Sequence, residues 1–120
     1  MTKINLEAAE ESIEWLISNA RHLGAARRQL VLTERLVDRV KALVMKKHND
    51  LAVSAQEREA KASEEWLDAI TREADAAGEF EELRTLRDGH QARIEAWRTL
   101  ESTARQMMKE ATHGTQQNYR

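Results

Sequence analysis

Arg21, Arg28, Arg35, Arg39 and Lys46 follow one another at steps of seven, seven, four and seven. On an unbroken helix those steps keep all five within about 40° of arc, so they form a single positive stripe. A row of fixed cations suits the phosphates of a nucleic-acid backbone, which shed counterions when neutralised and which Arg can grip with two donors at once. A second set, Arg84, Arg87, Arg98, Arg105 and Lys109, clusters within about 60° on a later helix and is read as lying well away from that helix's apolar face. The same stripes also fit solvated faces, or faces paired with acidic residues of this or a neighbouring chain. Trp15, Trp66 and Trp97 have rings that stack on bases, but Trp97 falls on an apolar helix face and Trp15 flanks another, positions that favour packing.

Other chemistries find little to work with. The 120 residues contain no Cys, which excludes disulfides, thiolate catalysis and cysteine-based zinc sites. His22, His48, His90 and His113 are scattered and are read as giving no ligand set for a metal-binding helix bundle; His90 falls on an apolar face, as a satisfied core or hinge histidine would. Neither a G-x-S-x-G elbow nor a glycine loop that could cradle phosphate is present. The expectation is a protein that is not an enzyme and carries no cofactor and no metal.

The elements that must position the stripes are helices. There is no Pro and only four Gly, and Ala, Glu, Arg and Leu dominate, so the expected fold is all-α and a single domain spans residues 1–120. Asn5 is a candidate N-cap for a helix over about 5–48, with Glu7, Glu10, Glu11 and Glu14 near its positive end. Opposite the stripe this helix carries Leu16, Leu23, Leu30, Val37 and Val44, one apolar residue every seven, which reads as a packing seam. Ser54-Ala55-Gln56-Glu57 has the S-x-x-E form of a capping box and Ser63 is a further cap, so acidic middle helices are expected over about 54–77, ending at Ala76-Ala77-Gly78. A third helix is expected over about 79–113, packing through Ile94, Trp97 and Leu100 with a weak point at Asp88-Gly89, and then a frayed tail over 114–120. Helix 1 would run roughly 65 Å, against about 35 Å for a compact globule of this length. The reading is therefore an elongated antiparallel hairpin or bundle that buries its remaining apolar surface in a homo-oligomer. No apolar stretch is long enough to cross a membrane and the N-terminus turns acidic early, so a soluble cytoplasmic protein is expected.

Charge is divided by segment. Residues 5–20 sum to −4, 21–48 to +6, 49–82 to −8 and 83–120 to +3, within a chain whose formal net charge is −2. Two readings other than nucleic-acid binding follow. In one, the −8 segment is a docking face by which an adaptor or inhibitor engages a host protein. In the other, the chain is a purely structural helical oligomer.

The tract Gln56-Glu57-Arg58-Glu59-Ala60-Lys61-Ala62, then Ser63 to Trp66, and after an acidic helix Arg93-Ile94-Glu95-Ala96-Trp97-Arg98-Thr99-Leu100-Glu101-Ser102, carries a resemblance over roughly residues 12–105. With the basic helix that leads into the turn through Leu36, Lys41, Ala42 and Leu43, it resembles the small helical recombination mediators of bacteriophages, in the style of UvsY of T-even phages. The resemblance implies a homo-oligomer that binds single-stranded DNA and helps load a recombinase in the presence of single-strand-binding protein, within the host cytoplasm if phage-encoded. It adds Lys46, Lys47, Arg58 and Lys61 to the candidate DNA contacts. The chain departs from that pattern in its acidic stretch from Glu57 to Glu82.

Overall fold

The computed structural model describes residues 3–118, and among them there are three helices and no strand: α1 (Leu6–Lys47), α2 (Val53–Ala62) and α3 (Glu64–Asn118). The protein is all-α. Asn5 caps α1 as its side chain allows, Oδ1 accepting the backbone N–H of Ala8 at 2.8 Å. At the other end Lys46 and Lys47 occupy the last turn, where cations suit the helix dipole.

Ser63 both ends α2 and starts α3. Its backbone is extended (φ −78°, ψ 150°), its hydroxyl donates to the Ala60 carbonyl at 2.6 Å, and the same oxygen accepts the Trp66 N–H at 3.2 Å. One side chain thus closes a carbonyl of the finished helix and an orphan N–H of the next, with Glu64 and Glu65 in the new first turn.

Three expectations need correction. The Ser54 capping box is not formed: α2 begins at Val53 behind Ala52, which makes no side-chain cap, and Gln56 Nε2 reaches back to the Leu51 carbonyl at 2.8 Å instead. The middle and third helices are not separated at Ala76-Ala77-Gly78, because α3 continues through Gly78 and Gly89. A glycine stop needs the left-handed conformation, and no described glycine has positive φ. Lastly, the third helix, expected to end near residue 113, continues to Asn118; Tyr119 and Arg120 lie outside the described residues.

The chain divides into two compact units, Met1–Asn19 with Leu86–Arg120, and Ala20–Thr85. In the first, α1 and α3 run antiparallel: Ala8 meets Arg93, and Ser12 and Trp15 meet His90. The covered positions of α1 there are Ala9, Ser12, Leu16 and Asn19, and those of α3 are Arg87, His90, Ile94 and Trp97, in both cases at alternating steps of three and four. In the second unit the same spacing covers Leu23, Ala26, Leu30, Thr33, Val37, Val40 and Val44 of α1 and Trp66, Ala69, Glu73, Ala76, Phe80 and Leu83 of α3. The most deeply buried residues are small: Ala9, Ser12, Ala26, Thr33, Ala60, Ala69 and Ala76, with Val44 the largest apolar one. Buried polar groups are satisfied. Thr33 Oγ1, for instance, lies 2.9 Å from both the Gln29 and Leu30 carbonyls, and among the described residues no buried side-chain polar atom is without a partner.

The seam Leu16, Leu23, Leu30, Val37 and Val44 therefore faces inward, with Val44 buried and the others half-buried. Ile94 and Trp97 are half-buried as well, whereas Leu100 is 52% exposed and is not covered within the chain.

Candidate nucleic-acid interface

Arg21, Arg28, Arg35, Arg39 and Lys46 all belong to the Ala20–Thr85 unit, and all are exposed, as are Lys47 and, on α2, Arg58 and Lys61. They point outward because the opposite side of α1 is committed to the seam. From Arg21 to Lys46 the stripe covers about 37 Å of helix, and a step of seven residues is about 10.5 Å. None of these cations lies in an ion pair among the described residues, and neither do Glu34 and Asp38, the two acids of the same stretch. Among the described residues, the ion pairs Arg72–Asp68, Arg84–Glu81, Arg87–Asp88 and Arg98–Glu95 lie within α3 and join neighbours in sequence. Exposed pairs of this kind contribute about 0–1 kcal/mol each.

The second stripe is a lesser one. Arg87 is not on an outward face: it shares the covered row of α3 with Phe80 and Ile94, seven residues to either side, and is half-buried. Arg84 and Arg98 are exposed but hold Glu81 and Glu95 at 2.6 and 3.0 Å. Arg105 and Lys109 are exposed and outside any ion pair. Arg27, beside the first stripe in sequence, sits over the Phe80 ring at 5.6 Å from its centre, a contact worth about 0.5–1 kcal/mol at an exposed site.

One row escaped the sequence reading, and the −8 segment read as a docking face resolves into another. Leu32, Leu36 and Leu43, at steps of four and seven, are exposed on α1 immediately beside the stripe and give it an aliphatic margin. On α3, Glu64, Asp68, Asp75, Glu79 and Glu82 are exposed and fall within about 60° of arc, so the acidic segment has an acidic face. Both rows border the groove of this unit: Leu36, Asp68 and Arg72 line one part, and Leu43, Lys46 and Glu65 another. Lys46 and Glu65 share that groove without forming an ion pair.

No protein-family model, curated protein or solved structure matches the chain.

The tryptophans do not join the stripe. Trp66 and Trp97 are half-buried in the α3 rows, and Trp15 stacks on His90 with ring centres 4.5 Å apart and planes 24° apart. His90 Nδ1 lies 2.9 Å from Ser12 Oγ, the distance of a nucleophile and its base. Ser12 is 0% exposed, so no substrate carbonyl can reach its oxygen, and the pair is a satisfied polar layer between helices. Burial, and secondarily the nearby Arg93 guanidinium, hold the His90 pKa below its ordinary value near 6.5. Glu110 and His113 do stand at E-x-x-H spacing near the end of α3, but among the described residues no three His, Cys, Asp or Glu side chains are placed to hold a metal ion. No helix among the described residues is long and apolar enough to cross a membrane.

Proposed function

We propose that this chain is a non-enzymatic accessory recombination protein of the phage type, which binds single-stranded DNA through the α1 stripe as a homo-oligomer and assists recombinase loading. The observation that carries the reading is that Arg21, Arg28, Arg35, Arg39, Lys46 and Lys47 are all exposed and all outside any ion pair, although the acidic face of α3 is in the same unit. A cation already paired within the chain must lose that partner to meet a phosphate, and these need not. The aliphatic margin of Leu32, Leu36 and Leu43 can lie against sugars and base edges without discriminating among bases, so the expected binding is indifferent to sequence. Each protomer supplies about half a dozen weak contacts, and several protomers on one strand multiply them. Fluorescence anisotropy with a labelled single-stranded oligonucleotide tests this: binding absent at low salt, or unchanged on reversing Arg28, Arg35 and Arg39 to Glu, ends the proposal.

A second reading is favoured by the acidic face itself, since among the described residues only Asp68 of Glu64, Asp68, Asp75, Glu79 and Glu82 is in an ion pair. That face suits a basic protein surface, as in an adaptor or inhibitor that docks on a host protein. A host protein retained by the immobilised chain and released when these acids are neutralised, with no DNA affinity, would replace the first reading by this one.

A further inference from the structure

The α1 stripe has a counterpart of opposite sign on α3. Arg21, Arg28, Arg35 and Arg39 follow one another at steps of seven, seven and four; Glu82, Asp75, Asp68 and Glu64, taken towards the start of α3, follow at the same steps. Each set falls within about 40° of arc and covers about 27 Å of helix. All eight side chains are exposed and all belong to the Ala20–Thr85 unit, where no ion pair among the described residues joins the two sets. Asp68 is held by Arg72 of its own helix at 3.4 Å, a largely exposed pair that exchanges partners at little cost.

We propose that a second copy of this chain occupies the α1 stripe with its α3 acid row, and so competes with single-stranded DNA for it. Laid antiparallel, the rows bring Arg21 to Glu82, Arg28 to Asp75, Arg35 to Asp68 and Arg39 to Glu64; a parallel alignment matches three pairs at most. The residues between the charges match as well. Ala25 stands four after Arg21 and Gly78 four before Glu82, both exposed, so the same antiparallel alignment sets two small residues against each other and lets the helices approach. A methyl group at Gly78 would meet nothing within 4 Å, so that side of α3 is uncovered in the protomer. Charge and spacing together select the occupant, since an acid row of another pattern would leave some cations unmet. Each protomer carries one row of each sign, and the contact therefore repeats head-to-tail from copy to copy. The inference deepens the proposed function by naming what regulates the stripe, and rests on that reading for the competing strand but not for the contact between copies.

Light scattering on the full chain without DNA, at about 20 and about 500 mM salt, tests the contact, because the screening length shrinks from about 20 Å to about 4 Å across that range. The expected mass exceeds 13.8 kDa at low salt and falls at high salt. Arg28→Glu with Arg35→Glu in one variant, and Asp68→Arg with Asp75→Arg in another, should each remove the salt-sensitive rise. Circular dichroism should show equal helicity, since all four positions are exposed. An equimolar mixture of the two variants should regain the rise, each supplying the reversed row that the other needs. A single-stranded oligonucleotide shorter than one stripe should dissolve the wild-type assembly at low salt. A wild-type mass insensitive to salt, a mixture no heavier than its components, or an assembly that persists with the oligonucleotide bound overturns the inference. Restored assembly in the mixture, with no DNA affinity in the Asp68→Arg/Asp75→Arg variant, upholds the contact and ends the DNA reading instead.

Discussion

Neutralising Arg28, Arg35 and Arg39 together as Gln should change how DNA affinity depends on salt, and by an amount the stripe fixes in advance. Gln is a helix former of similar reach, and the three positions are exposed and outside any ion pair, so α1 should persist. For single strands the slope of log K against log salt is about −0.7 per phosphate neutralised, so six cations per protomer give a slope of about −4 and three give about −2. Between 50 and 200 mM salt the wild-type affinity should then fall about 300-fold, and that of the variant about 20-fold. Anisotropy titrations at four salt concentrations measure both slopes, with circular dichroism confirming equal helicity. An oligomer that engages several protomers steepens both lines, but the ratio of about two remains because each protomer loses half of its contacts. Equal slopes for the two proteins would refute the reasoning, since the strand would then be held somewhere other than α1. A shallow wild-type slope near −1 would refute it as well, because a single cation is not a stripe.

The remaining expectations concern the fold and the two charged faces. Gly78→Ala and Gly89→Ala should each raise stability to urea by about 0.5–1 kcal/mol, because both glycines are helical and a methyl group at either would meet nothing within 4 Å; destabilisation would mean that α3 is not continuous there. The lowered His90 pKa makes stability pH-dependent with a definite sign. Between the folded value and about 6.5 the unfolded chain binds the proton and the folded chain does not, so stability is full above pH 6.5, falls as pH drops through that window and levels below it. His90→Gln should flatten that slope in urea titrations, and an unchanged slope would assign it to another group. Neutralising Asp68, Asp75 and Glu82 as Asn, Asn and Gln should tighten DNA binding about three-fold at 50 mM salt and hardly at all at 200 mM, where screening reaches within 8 Å or so. Weaker binding in that variant would show the acidic face to be part of the contact.

The helix ends were legible where a single side chain decides them. Asn5 and Ser63 can bond a free N–H three residues on whatever the rest of the chain does, and both do. Gly78 and Gly89 are different, because a glycine permits a stop without causing one. With Ala76 and Ala77 before Gly78, and Phe80 and Leu83 after it at core spacing, the helix that continues buries more than one that breaks. Half of the α1 packing row was missed for a related reason. Leu16, Leu23, Leu30, Val37 and Val44 announce themselves by hydrophobicity, whereas Ser12, Asn19, Ala26 and Thr33 are covered because they are small or can bond back to their own helix. The alternating steps of three and four were the available signal. Arg87 was misplaced through the opposite error, since its charge drew it into a stripe while its spacing from Phe80 and Ile94 put it in the row.

Charge counted by segment also misdirects, and the rows show why. The −8 of residues 49–82 is enough to cancel the +6 of residues 21–48, which makes neutralisation within the chain the natural inference from the counts. Neutralisation needs contact, however, and contact depends on the face each charge occupies. The acids of α3 stand on its outer row and the cations of α1 on theirs, with Leu36, Val40 and Leu43 in the groove between them and no ion pair across it. At physiological salt two such rows interact weakly once more than about 8 Å of water separates them. A unit close to neutral overall can therefore hold one surface for anions and another for cations, and the helix phase of each residue, rather than the segment total, sets what the unit can bind.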